Sequence, residues 1–316
     1  MYTIGIDVGG TNLKAGLVDA QYRIAAVEKM PLRWESPEKF AADLAALSNG
    51  LIAQKGIARE EVAAIGVGLP GQVDPTGTVV VRTVNIPIRN LPLADLIRRQ
   101  WEVPIFLGND ADCAALGEFY HFEDRSIKNL ILVTLGTGIG TGVILNGKIH
   151  RGVNGCAGEG GHMVIVSDGV LCTCGRRGCW ERYSSASGLI RMTKEEMECC
   201  SDSAMWAEAA MDMERVDGRT AFEAAKKGDA AAKRVVDQYI RYLADGVTNL
   251  INLLQPEVIC IGGGLSNEDD AYLLHPLQKR VEELRYDKDA PSHTQIVKAK
   301  LGNDAGIIGA ALLGRS

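Results

Sequence analysis

One histidine and three cysteines stand in the chain as His162-x9-Cys172-x-Cys174-x4-Cys179. Three thiolates and an imidazole are the donor set of a tetrahedral structural zinc. Gly175 and Gly178 let the chain between the thiols fold back tightly enough for the sulfurs to converge. Four protein ligands leave no coordination position for a catalytic water, so the metal is expected to shape its surroundings and not to react. Cys113, Cys156, Cys199, Cys200 and Cys260 lack such company and read as packing residues. Glu159 precedes the first ligand by three residues and Glu181 follows the last by two. A metal tie between His162 and Cys179 would hold both carboxylates with little freedom, which suits charge-assisted hydrogen bonds to hydroxyl groups. The alternative is that both are solvent-facing acids.

Further candidates lie at the ends of apolar runs. Residues 3–8 (TIGIDV) read as a strand carrying Asp7, Gly9-Gly10-Thr11-Asn12 as a turn and Leu13–Val18 as the next strand. A carboxylate followed by glycines and a hydroxyl can face a metal while bare backbone N–H groups approach phosphate, although a plain β-hairpin would use the same residues. Leu130–Leu135 repeats the theme, running into Gly136-Thr137-Gly138 and a strand that turns at Asn146-Gly147. Two such half-units facing one another would hold a polyphosphate from two sides. A third turn, Gly262-Gly263-Gly264, follows the strand Val258–Ile261 and either lets a flat ring such as a purine lie against backbone or is a mobile loop. Asn109-Asp110 falls where the strand Pro104–Leu107 meets an Ala-rich helix; a carboxylate there suits a general base, or an ordinary N-cap.

The elements that must position these groups follow from periodicity. Pro37–Lys55 repeats Phe40, Leu44, Leu47 and Leu51 at helical spacing, and Leu93–Gln100 reads as a second helix. Val62–Val67 is an apolar strand leading into Gly66-Val-Gly-Leu-Pro-Gly71, which formally satisfies G-x-G-x-x-G. No helix follows it: Pro70 and the turn Asp74–Gly77 lead to another strand, Thr78–Val84, so the run reads as a tight backbone approach beside a ligand and not as a dinucleotide fingerprint. Thr193–Cys200, Ser203–Met211 and Thr220–Lys227 are short helix candidates. Asp229–Leu254 is a long amphipathic helix, and Ala305–Leu313 a small-residue helix able to pack back onto the first domain. With 316 residues, 46% of them hydrophobic, the chain suits two α/β domains. A net charge of −6 offers no basic stripe for nucleic acid and no polybasic run for a membrane. No charged-then-apolar leader opens the chain, and a cytoplasmic location is expected. Walker and protein-kinase signatures are absent from the sequence.

In that order and at these intervals, DVGGT, GLPGQVD, NDADCAALGE, LGTGIGTG, GEGGH and CTCGRRGCWE resemble the ROK family of bacterial sugar kinases and repressors, most of all its glucokinase branch. The resemblance spans essentially the whole chain. Repressors of the family carry an N-terminal helix-turn-helix, whereas strand one here starts at residue 3, which favours a kinase. The resemblance implies an α/β, actin-like ATPase (ribonuclease-H-like) duplicated fold with two domains around a central cleft. Residues 1–117 with the C-terminal helix 303–316 would form the smaller domain, and 118–302 the larger, zinc-bearing one. It further implies phosphorylation of a hexose 6-hydroxyl by ATP and Mg2+, with Asp110 as base. Asn85, Asn109, Glu159, His162 and Glu181 would hold the sugar. Asp7, Gly10, Thr11, Gly136, Thr137 and Gly138 would surround Mg2+ and phosphates, with Gly263 and Gly264 at the adenosine. His162, Cys172, Cys174 and Cys179 would hold a structural Zn2+. Small-molecule sugar and nucleotide are the implied partners, with a second copy in a homodimer. Glucose is the expected substrate; N-acetylmannosamine or N-acetylglucosamine, or a non-catalytic sugar sensor, are the alternatives. The chain departs from the family pattern in NIPIRNLPL, which lacks an aromatic shortly after Asn85, and at Gly160, where a larger apolar residue is commonest.

Overall fold

The computed structural model describes residues 1–83, 86–290 and 293–316. Strands β1 (Tyr2–Val8), β2 (Asn12–Val18) and β3 (Ile24–Pro31) form a meander, followed by helix α1 (Pro37–Lys55) and strand β4 (Val62–Leu69). Short strands β5 (Gly71–Val73), β6 (Val80–Thr83) and β7 (Arg89–Leu91) lead to α2 (Leu93–Arg98), β8 (Ile105–Asn109) and α3 (Asp110–His121). Next come β9 (Leu130–Leu135), β10 (Ile139–Leu145) and β11 (Lys148–Ile149). A helical stretch, α4 (Glu181–Ser184), α5 (Ala186–Cys199), α6 (Met205–Glu208), α7 (Thr220–Lys226) and α8 (Ala230–Leu254), precedes β12 (Val258–Gly262), α9 (Leu274–Leu284), β13 (Gln295–Lys298) and α10 (Ala305–Leu312).

Two five-stranded sheets have the same internal order. The first runs β3-β2-β1-β4-β8 and the second β11-β10-β9-β12-β13, so third-second-first-fourth-fifth describes both. In each, the first two strands flank a glycine-hydroxyl turn, which is the duplication read from the sequence. The strands β5, β6 and β7 form a separate small sheet. The G-x-G-x-x-G run lies along β4 and into β5, with no helix after it. Helix α2 stops two residues before its expected end, α5 begins at Ala186 instead of Thr193, and the expected helix over Ser203–Met211 shrinks to α6. The cause in the last case is local: Ala210 and Met211 take left-handed φ values of 52° and 61°.

By contacts the chain divides into two compact units. The first comprises Met1–Leu132, Gly142–Gly158 and Lys300–Ser316, and the second Val133–Thr141 and Glu159–Ala299. In the first, Ile4, Ile6, Phe40, Leu44, Leu51, Ile65, Val67 and Trp101 build a core between sheet and α1. Helix α1 starts where Ser36 Oγ accepts from Lys39 N at 3.1 Å, and stops at Gly56, whose φ of 68° needs no Cβ. On the other face of the sheet, α10 lies directly on backbone. A Cβ at Gly5 would stand 1.9 Å from Ile307 O, one at Gly66 1.8 Å from Ala310 O, and one at Gly309 1.5 Å from Cys113 O of α3. Glu118, buried near the end of α3, ties down the approach to α10 by accepting from Lys300 N at 3.1 Å and Leu301 N at 2.8 Å.

In the second unit α8 is the central support. Asp229 caps it, accepting from Ala232 N at 2.7 Å, and the same carboxylate accepts from Ala204 N at 2.8 Å. Val236, Ile240, Leu243, Val247 and Leu250 are buried along one stripe of the helix. Trp180, fully buried beside the last cysteine of the cluster, seats its ring on Gly246 of α8 and donates from Nε1 to Tyr242 O at 3.0 Å. Among the described residues no helix is long and apolar enough to cross a membrane.

Candidate active site and metal centre

In the first unit, the candidate residues gather at the carboxyl ends of parallel strands β1, β4 and β8. Asp7 lies near the end of β1 and beside the start of α10, where a Cβ on Gly306 would be 3.3 Å from its Cγ. Burial pushes the Asp7 carboxyl above the ordinary aspartate value, partly offset by Lys14. Gly10 and Thr11 are exposed in the turn that Gly9 N closes on Asn12 O at 2.9 Å. Such a set, a desolvated carboxylate beside open N–H groups, fits a divalent cation with phosphate.

Asn109 and Asp110 divide the labour at the β8–α3 junction. The cap is Asn109: its Oδ1 accepts from Ala111 N at 2.8 Å and Asp112 N at 3.2 Å, while Nδ2 donates to Gly71 O at 3.0 Å. Asp110 is the first helical residue and accepts from Ala111 N at 2.9 Å. The N-cap alternative for Asp110 is therefore answered by its neighbour, and Asp110 carries its charge at the positive end of α3. Burial pushes the Cys113 thiol up, and Asp112, Asp7 and Asp110 add to the effect; the two candidate carboxylates thus share one neighbour. Asn85 lies outside the described residues.

The second unit holds the candidate metal centre. His162, Cys172, Cys174 and Cys179 place one donor atom each within 4.8 Å of all the others. His162 Nδ1 is 3.7 Å from Cys172 Sγ, and Cys174 Sγ is 3.6 Å from Cys179 Sγ. Bonds of about 2.3 Å to a tetrahedral zinc put sulfurs roughly 3.8 Å apart, so the cluster has the right size. As bare thiols the sulfurs are badly matched: burial and the adjacent sulfurs push Cys179 up to about 12, while the backbone N–H of Arg176 lowers Cys174. A divalent cation would remove that conflict by binding the sulfurs as thiolates.

The two carboxylates of the cluster stand differently. His162 turns Nε2 toward Glu159, whose Oε2 is 4.0 Å away, so one ring nitrogen serves the sulfurs and the other faces a carboxylate. Glu181 Oε1 lies 3.8 Å from Cys172 Sγ, and its Oε2 accepts from Ile139 N at 3.2 Å. A Cβ on Gly138 would be 2.2 Å from that same Oε2. The Cys/His cluster, Glu181 and the Gly136–Gly138 turn are therefore one connected assembly. The turn is pinned from α5 as well: Ala186 N donates to Gly136 O at 2.8 Å and Ser187 Oγ to Thr137 O at 2.8 Å. Gly263, with φ 83°, lies against Leu135 at the end of β9, whereas the space around Gly264 is open. The sequence did not single out Ser187, Glu118 or Thr141, whose Oγ1 accepts from Gly160 N at 2.8 Å. Hydroxyl and carboxylate partners this far apart in the chain leave no local signal.

The profile of the ROK family matches residues 3–316. The chain belongs to the ROK family. It is 34% identical to a relative from Streptomyces coelicolor named glucokinase, over 99% of this chain and 97% of that one. The ROK family glucokinase of Streptomyces griseus, solved in complex with glucose and AMPPNP, superposes with a TM-score of 0.81 at 33% identity, covering 100% of this chain and 99% of the other. An N-acetyl-D-glucosamine kinase from Pectobacterium atrosepticum is 30% identical over 98% of this chain and 97% of its own. The duplicated α/β, actin-like ATPase fold expected from the sequence is the fold of this ROK chain.

Proposed function

We propose that this protein is a hexose kinase that transfers the γ-phosphoryl group of ATP to the 6-hydroxyl of glucose. The observation that carries the reading is the β8–α3 junction, where Asn109 takes the cap and Asp110, the first helical residue, carries its carboxylate at the positive end of α3. Asp110 accepts the proton of the attacking hydroxyl, a role that needs proximity and charge more than a perturbed side chain. Asn85, Asn109, Glu159, His162 and Glu181 hold the sugar. Glu159 and Glu181 accept from its hydroxyls, and His162 Nε2 is the ring nitrogen left for that task. Asp7, Gly10, Thr11, Gly136, Thr137 and Gly138 receive Mg2+ and the phosphates, with Gly263 and Gly264 against the adenosine. Magnesium supplies neutralisation of the charge that builds on the phosphate oxygens. Zinc at His162, Cys172, Cys174 and Cys179 supplies rigidity, fixing Glu159 and Glu181 relative to each other.

The whole-length likeness to chains named glucokinase supports glucose over an N-acetylhexosamine. A coupled assay of ADP release over a hexose panel tests both steps. Glucose is expected to give the highest kcat/KM, with glucose 6-phosphate as product. Faster turnover of N-acetylglucosamine or N-acetylmannosamine would replace the substrate, and sugar binding without ADP release would replace the kinase by a sensor.

A further inference from the structure

We propose that Thr141 is a positioning residue for the sugar grip: together with Gly160 it forms a matched pair that sets the turn carrying Glu159 and His162. The proposal rests on the hexose-kinase reading for its consequence, and on packing for its cause. Residues Gly160–His162 make a single 3-10 turn that closes with His162 N on Glu159 O at 3.0 Å and Met163 N on Gly160 O at 2.9 Å. The turn lies flat on the start of β10. A Cβ at Gly161 would stand 2.3 Å from Ile139 O, and one at Gly160 would stand 2.9 Å from Thr141 Oγ1 and 3.2 Å from its Cγ2. Thr141 is only 6% exposed, and its hydroxyl accepts the Gly160 N–H at 2.8 Å.

Two constraints therefore meet at one side chain. The hydroxyl holds the turn by a buried hydrogen bond, and hydroxyl and methyl together occupy the space that any side chain at position 160 would need. The small residue at 160 does not open room beside the sugar, because the missing side chain would have pointed at Thr141. Glu159 enters the turn and His162 ends it, so tilting the turn moves both. Removing the acceptor while keeping the volume leaves the Gly160 N–H buried and unpaired, a cost that a tilt toward another acceptor or water relieves.

The test is a small variant set in the zinc-loaded, full-length protein. T141S keeps the acceptor and is expected to hold the sugar KM within about threefold of wild type. T141V keeps the volume without the acceptor and is expected to raise it about tenfold, with KM for ATP unchanged. G160A is expected to raise the sugar KM similarly, because its Cβ would stand 2.9 Å from Thr141 Oγ1 and 3.2 Å from Cγ2 and push the turn off β10. A merely structural role would lower the active fraction, and so kcat, without moving the sugar KM selectively. Equal sugar KM in T141V and T141S, or a wild-type sugar KM in G160A, overturns the pairing. Hydrogen exchange of the Gly160 amide gives a readout free of activity: protection is expected in wild type and T141S and its loss in T141V. Should the wild type phosphorylate no hexose, the kinase reading falls by itself, while unchanged Gly160 protection in T141V would still overturn the pairing.

Discussion

Replacing Gly138 by alanine separates the site from the fold more cleanly than any ligand deletion. Gly138 is not among the residues with left-handed φ, so its backbone accepts a Cβ. That Cβ would stand 2.2 Å from Glu181 Oε2 and 3.1 Å from Glu181 Cδ, the far end of a flexible side chain. Ordinary contact begins at 3.4 Å, so the carboxylate must retreat by about 1 Å. It then loses its hydrogen bond from Ile139 N and its place beside Cys172. A charged hydrogen bond contributes about 1.5–3 kcal/mol when buried, and less at this half-exposed position. The melting temperature should therefore fall by only a few degrees. A misplacement of about 1 Å in a group that orients substrate can cost roughly 10²-fold. The expected outcome for G138A is thus a loss of about two orders of magnitude in kcat/KM for glucose with zinc retained, read by ADP release and elemental analysis. If the loss runs through Glu181, the E181A and G138A/E181A proteins should be nearly equal in activity. Activity of G138A within about threefold of wild type would refute the reasoning, as would full additivity in the double variant.

Asp110→Ala should lower kcat by at least about 10²-fold while leaving sugar binding by calorimetry and the thermal midpoint nearly unchanged; near-normal turnover would remove Asp110 from the base role. One tightly held zinc per chain is expected, lost in Cys174→Ser together with sugar affinity, and zinc-free protein from metal-controlled purification would remove the metal assignment. Asp229→Ala should destabilise the second unit by about 1–2 kcal/mol in urea unfolding, because it strips the cap of α8 and leaves Ala204 N unpaired, with no change in sugar KM. Burial raises the Asp229 carboxyl, but the backbone bonds from Ala232 and Ala204 and that from Ser203 outweigh it and hold the group below the usual 3.8. Its contribution is accordingly complete above that value and lost as the pH falls through the lower folded-state value, so the difference between wild type and Asp229→Ala should shrink in acid. A difference that grows in acid would contradict the assignment.

Much of this architecture is local enough to read in advance. Helix α1 carries its own start and stop in Ser36, Pro37 and Gly56, and the Asn146-Gly147 hairpin sets its own turn with φ of 53° and 78°. The convergence of the Cys/His cluster is legible for the same reason, because its four side chains fall within one short stretch. What sequence pattern missed depends on distant partners. Helix α9 and strand β13 leave no clear pattern in the sequence: only Leu277 and Val281 of α9 are buried, too few for a clear period, and β13 is placed by its pairing with β12. Helix α5 begins early because Ser185 caps it by accepting from Gly188 N at 3.1 Å, ahead of the apolar positions that mark the helix. The connection of Glu181 to Ile139 N spans 42 residues, and no spacing rule announces it.

The seating of α10 also bears on how the molecule is made. Its backbone fills notches at Gly5 and Gly66, its own Gly309 makes room for Cys113 O of α3, and it lies against Asp7 through Gly306. Yet it leaves the ribosome after every residue of the second unit. Strands β1 and β4 must therefore wait with one glycine-lined face uncovered while well over two hundred residues are added. The order of synthesis and the order of completion are reversed for the first unit. A nascent chain halted before residue 305 should bind chaperones through that bare face and remain open to protease, even with the whole second unit already translated.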